Sequence, residues 1–208
     1  MKSENLKTIN EFWRWFSNAI KTVNNNIENP AFVDELNKQV QDLNPKLSWE
    51  IGPGLIKPWQ LVISPGLDPD LRQEARGIIS DAPALPDWEF HSAKPPKQWD
   101  YKLELENADG DLIRLSAANW TFVLLRYPDG AYEVLLKGND ISHLRDDERW
   151  QAAAVTLESI LGEDVVLDRI NEFELVENLE PRLAQKQRPI QELRTAVMGL
   201  TDELPTEW

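Results

Sequence analysis

The sequence predicts an α+β fold: an N-terminal helical pair, a mixed or largely antiparallel sheet, and helices packed on one face of it. Three observations predict it. Apolar residues recur at helical spacing up to Leu43. From Leu47 onward short apolar or alternating runs are bounded by Gly, Pro and Asp, the pattern of strands and turns. Helical periodicity then returns three times, after Asp68, after Asp146 and near the C-terminus.

Residues 4–24 carry Ile9, Phe12, Trp13, Phe16, Ile20 and Val23, which at about 100° per residue fall on one helical face. Trp15 lies toward the edge of that stripe, where it could rim a contact. A second helix follows over 31–43 through Phe32, Leu36, Val40 and Leu43, and Pro45 stops it. "LSWEIGPG" and "WQLVISPG" read as strands ending in Pro and Gly turns. In "DPDLRQEARGIISDAP", Asp68 is an N-cap, Pro69 takes the first helical position, and Leu71, Ala75, Ile78 and Ile79 form the buried side. "DWEFHSA" is the next strand, with Trp88 and Phe90 on one face and Glu89 and His91 on the other. The order strand, helix, strand suggests a compact α/β unit without fixing whether its strands are parallel.

Beyond Tyr101, "YKLELEN", "DLIRLSA", "WTFVLLRYP" and "AYEVLLK" are separated by "ADGD" and "PDG". Asp-Gly between alternating runs signals hairpins, so a meander of about four strands is expected. A helix over 146–161 carries Trp150, Ala154, Leu157, Ile160 and Leu161, capped by Gly162. "DVVLDRINEFELVE" reads as one or two strands, and "PIQELRTAVMGL" as a last helix. The expected organisation is a helical segment over 1–45, an α+β domain over 46–200 and a tail over 201–208 that frays unless Trp208 docks. No internal repeat is evident.

The formal net charge of -14 opposes docking on a phosphate backbone or an anionic membrane, so neither nucleic acid nor membrane is expected as a partner. The same field permits a cationic protein partner. Without cysteine there is no disulfide, thiolate metal site or cysteine nucleophile. No metal and no cofactor are expected. The start of the chain lacks the pattern of a secretory signal, and no apolar run approaches the ~20 residues of a membrane span, so a cytoplasmic, unprocessed protein is expected.

Candidate chemistry is thin. Ser64 in "VISPG" lacks the glycines of a nucleophile elbow and reads as a turn hydroxyl. His91 and His143 could serve as general bases or ligands. Asp146, Asp147 and Glu148 beside His143 sit where a helix begins, so they read as cap residues stabilised by the helix dipole. Glu104 and Glu106, two apart in a strand, share a face and read as solvated. "NWT" at 119 is a glycosylation acceptor only in a secreted protein, and neither "GPG" nor "SPG" leads into a phosphate-cradling loop.

The most unusual stretch is "DAPALPDWEFHSAKPPKQWD", residues 81–100. Lys94, Lys97 and Trp99 follow the strand on a segment stiffened by Pro95 and Pro96, a local positive patch on an acidic protein. It is either an anchored crossover loop or a small anion or peptide site with an aromatic wall, and loops carry function disproportionately. Trp88 is assigned to structure, and His91, Lys94, Lys97 and Trp99 to any binding role.

The runs "WEIGPG", "QLVISPG", "LRQEARGIISDAPALPDWEFHSAKPP" and "LESILGEDVVLDRINEFELVE" resemble a bacterial family of proteins of unknown function, over residues 47–176. The matching positions are Ala82, Pro83, Trp88, Lys94, Pro95, Leu161, Gly162 and Glu163. The resemblance implies a layout and no catalytic residues. The function expected is that of a non-enzymatic, cytoplasmic protein-interaction or binding protein, with an immunity-type role, an acidic surface occupying a cationic effector, as its specific form. The alternative is a hydrolase-type enzyme using His91 or His143 with nearby carboxylates.

Overall fold

The computed structural model describes residues 2–23 and 26–200, with side chains from residue 6 onward. The expectations for residue 24 and for the tail with Trp208 lie outside the described residues. The fold is α+β, and the chain forms two compact units, residues 1–94 and 95–208.

The first unit begins with α1 (Lys2–Thr22) and α2 (Pro30–Leu43), followed by β1 (Ser48–Pro53), β2 (Trp59–Ser64), α3 (Arg72–Ser80) and β3 (Trp88–His91). The Asn29 side chain accepts the Phe32 N–H at 3.2 Å and Pro30 opens α2, a pairing that satisfies one end group and omits another that would have none. Asp68 caps as expected by accepting the Asp70 N–H at 2.9 Å, but the first turn, Pro69–Leu71, is a 3-10 turn that leads into α3. β1 and β2 form an antiparallel hairpin, and β3 adds parallel to β2 after the α3 crossover.

Alternation along the strands turns Leu61, Ile63 and Trp88 toward Phe12, Trp13 and Phe16 of α1, Leu36 and Val40 of α2, and Ala75 and Ile78 of α3. All three helices therefore join one core with one face of the sheet. Phe16 meets Trp88 edge-on with ring centroids 5.0 Å apart, and Trp13 meets Phe90 at 4.9 Å. Burying an indole also requires a partner for its N–H, and Trp13 Nε1 donates to the Ile78 carbonyl at 2.9 Å. Trp15 is half-buried at the stripe's edge and stacks on Phe32.

The second unit contains β4 (Lys102–Glu106), β5 (Leu112–Ser116), β6 (Thr121–Arg126), β7 (Tyr132–Lys137), α4 (Asp146–Leu161), α5 (Glu163–Arg169), β8 (Glu172–Val176), α6 (Pro181–Ala184), β9 (Arg188–Pro189) and α7 (Leu193–Met198). Both Asp-Gly turns close hairpins, β4–β5 and β6–β7, with Gly110 at φ 84° and Gly130 at φ 90°. The four strands do not form one meander. β6 has only two edges, and β7 and β9 occupy them, so β4–β5 is a separate ladder and the larger sheet runs β8-β7-β6-β9. β8 pairs parallel to β7 after the crossover through α4 and α5.

One further expectation is corrected. "EDVVLDR" is the helix α5 rather than a strand: Glu163 and Asp164 lie in its first turn and Arg169 in its last, the charge order a helix dipole favours, and Val166 is buried. Along α4, Ala154, Leu157 and Leu161 are buried, while Trp150 is 53% exposed with its ring tilted against Phe173 of β8. Gly162 ends α4 as expected, at φ 85° with its N–H on the Glu158 carbonyl. Although the sequence shows no repeat, each unit contains the same succession: a hairpin, a helical crossover, and a strand parallel to the hairpin's second strand.

Candidate functional site

The connection between β1 and β2 is held by hydrogen bonds from its own backbone and from β3. Gly54 N–H bonds to the Pro58 carbonyl at 3.2 Å. A Cβ at Gly54 would lie 2.4 Å from the Lys57 carbonyl oxygen and 3.1 Å from Glu89 Cδ, so only glycine fits this close approach. From β3, the Glu89 carboxylate accepts the backbone N–H groups of Leu55 at 2.5 Å, Ile56 at 3.0 Å and Lys57 at 3.0 Å. Lys57 Nζ donates to the Leu85 carbonyl at 2.8 Å, which ties the loop to the segment before β3.

Burial alone pushes the Glu89 carboxyl up, yet the Lys57 and Leu55 N–H groups, His91 and the Ile56 N–H together outweigh it and hold the group at about 2. The carboxylate therefore stays ionised wherever the protein is folded near neutrality. Held this way, the loop presents Leu55 at 60% exposure and Ile56 at 93%. Two adjacent exposed apolar side chains on a loop whose backbone N–H groups are engaged make it a candidate contact.

The residues of the 81–100 stretch are placed as follows. Trp88 is 2% exposed and belongs to the core, and Phe90 packs beside it. His91 is half-buried on the opposite face of β3, with Nε2 3.2 Å from Glu89 Oε1. Lys94 is half-buried and closes the first unit. Lys97 and Trp99 belong to the second unit, where the Lys97 N–H bonds to the Ser159 carbonyl at 2.8 Å and Trp99 lies against Tyr101 with centroids 5.2 Å apart. Neither lysine is without a partner. His91 thus joins Glu89 and the β1–β2 loop in one cluster.

The other candidates resolve locally. Ser64 is fully buried and its Oγ accepts the Gly66 N–H at 3.0 Å, the turn role expected. Glu104 faces solvent across the ladder from Arg114, to which it pairs at 2.8 Å. Glu148 closes the start of α4 by accepting the Arg145 N–H at 2.8 Å, and this bond, ahead of the opposing effect of burial and the help of the Arg145 guanidinium, lowers its carboxyl. His143 lies instead on a polar cavity of about 360 Å³ in the second unit, together with Arg114, Ser116, Asn119, Asn139 and Asp140. Among the described residues no group of three or more histidine and carboxylate side chains is arranged to hold a metal ion. No helix among them is long and apolar enough to cross a membrane.

Sequence reading missed Leu55, Ile56 and the role of Glu89. The signal present was an apolar dipeptide between "GPG" and "KP", where turn residues are the norm. Compared with known proteins, the chain matches no family model and no curated protein.

Proposed function

We propose that this is a non-enzymatic binding protein that captures a protein partner through the β1–β2 loop, with Leu55 and Ile56 as its apolar anchors and His91 and Lys94 as further contacts of the first unit. The observation that carries the reading is the Glu89 carboxylate bound to three successive loop amides, which holds the backbone that carries two exposed apolar side chains. Association is opposed by the entropy of ordering loops and side chains, and a loop ordered in advance avoids much of that loss. Burying one such side chain in a partner's cleft contributes about 1.5–3 kcal/mol. The net charge of -14 favours a partner whose cleft has a basic rim, as an immunity-type protein occupying a cationic effector requires. Lys97 and Trp99 are proposed as contacts of the second unit taken by itself.

The test is affinity capture from the native source with parent protein and an Ile56→Ser variant, with Leu112→Ser as the control at another exposed apolar residue. A partner retained by parent and control, lost by Ile56→Ser, and released by salt supports the reading. An unchanged captured set with Ile56→Ser refutes it. Lys94→Gln and Lys97→Gln then report separately whether either lysine contributes.

A further inference from the structure

The cavity beside His143 is built by topology. Thr121 opens β6 directly across from Lys137, the last residue of β7, so the turn before β6 and the loop after β7 emerge at the same end of the hairpin. That end gathers Asn119 from the first, and Asn139, Asp140 and His143 from the second, beside Arg114 and Ser116 of β5. The cavity volume of about 360 Å³ lies within the range of small-molecule sites. Asp140 sits at φ 60°, a left-handed backbone that Asp tolerates better than most residues and that strains few other positions in the protein.

The donor set decides the ligand. Arg114 already pairs with Glu104 through Nε at 2.8 Å, and Asp140 adds a negative charge, so the wall is not a cationic one. A phosphate needs donors alone and would meet the Asp140 carboxylate as a repulsive neighbour. Hydroxyl groups both donate and accept, and so do the Asn119 and Asn139 amides and the Ser116 hydroxyl. We infer that this cavity binds a neutral polyhydroxylated ligand of hexose size, with Asn119, Asn139 and Asp140 holding its hydroxyls.

The experiment is a titration of nitrogen-15-labelled full-length protein with D-glucose, D-galactose, D-mannose and N-acetyl-D-glucosamine, and separately with inorganic phosphate. The expected result is saturable movement of the Asn119 and Asn139 side-chain amide signals with at least one hexose and none with phosphate. Asn139→Ala should weaken that binding about two- to twelvefold, the loss of a hydrogen bond between neutral groups, with the rest of the spectrum unchanged. No saturable change with any of the four sugars, or saturation by phosphate instead, overturns the inference, as does hexose binding that Asn139→Ala leaves intact in a folded protein.

Discussion

Replacing Glu89 by glutamine tests the clamp on the β1–β2 loop. The carboxylate accepts three backbone N–H groups and lies 3.2 Å from His91, while its side chain is 11% exposed. Glutamine keeps the shape but leaves one acceptor oxygen and no charge, so at least one loop amide loses its partner. A carboxyl held at about 2 rather than its ordinary 4.5 corresponds to roughly 3.5 kcal/mol, at about 1.4 kcal/mol per pH unit. Solvent at the rim of an exposed loop screens the pair and reduces this to about 1–2 kcal/mol. Because the folded-state value is depressed, the stabilisation is complete above about 4.5 and is lost as pH falls from there toward about 2. Urea unfolding at a series of pH values measures this directly. Glu89→Gln should be less stable than the parent by about 1–2 kcal/mol at neutral pH, and the two curves should converge between about pH 4.5 and 2. Hydrogen exchange of the Leu55, Ile56 and Lys57 amides should quicken at neutral pH in the variant. Equal stability at neutral pH, or a difference that persists unchanged to pH 2, refutes the reasoning.

Two other substitutions test the packing of each unit. Trp88→Ala removes a 2% exposed indole that meets Phe16 edge-on and should lower stability by about 3–5 kcal/mol in denaturant melts. Gly138→Ala places a Cβ 2.9 Å from Ile141 Cγ2 and 3.1 Å from Leu175 Cδ1, and the overpacking should lower stability by about 1–3 kcal/mol. An alanine variant as stable as the parent at either position contradicts the packing described.

The sequence by itself determined the local elements whose physical causes are local. The 3.6-residue stripe of Ile9, Phe12, Trp13, Phe16 and Ile20 makes α1 a helix with one buried face whatever it packs against. Asn-Asp-Gly chemistry at 107–111, where Asn107 Oδ1 accepts the Asp109 and Asp111 N–H groups, closes the β4–β5 turn through local hydrogen bonds. The alternation of Trp88 and Phe90 against Glu89 and His91 likewise follows from the two-residue period of a strand.

Tertiary structure decided what depends on partners distant in sequence. Whether β3 lies parallel to β2, and which edge of β6 is left for β9, are choices among ladders that the strand residues do not encode alone. "EDVVLDR" shows the limit in the other direction: its apolar residues suit a strand or a short helix, and the charge at its ends and its place in the β7-to-β8 crossover settle it as a helix. The candidate site is tertiary throughout. Glu89 reaches amides 32 to 34 residues earlier in the chain, and His143 lines one cavity with Arg114, Ser116 and Asn119. A carboxylate's role is set by which donors surround it, and those donors are backbone groups that every residue carries, so their arrival at Glu89 leaves no mark on the identity of the residues that supply them.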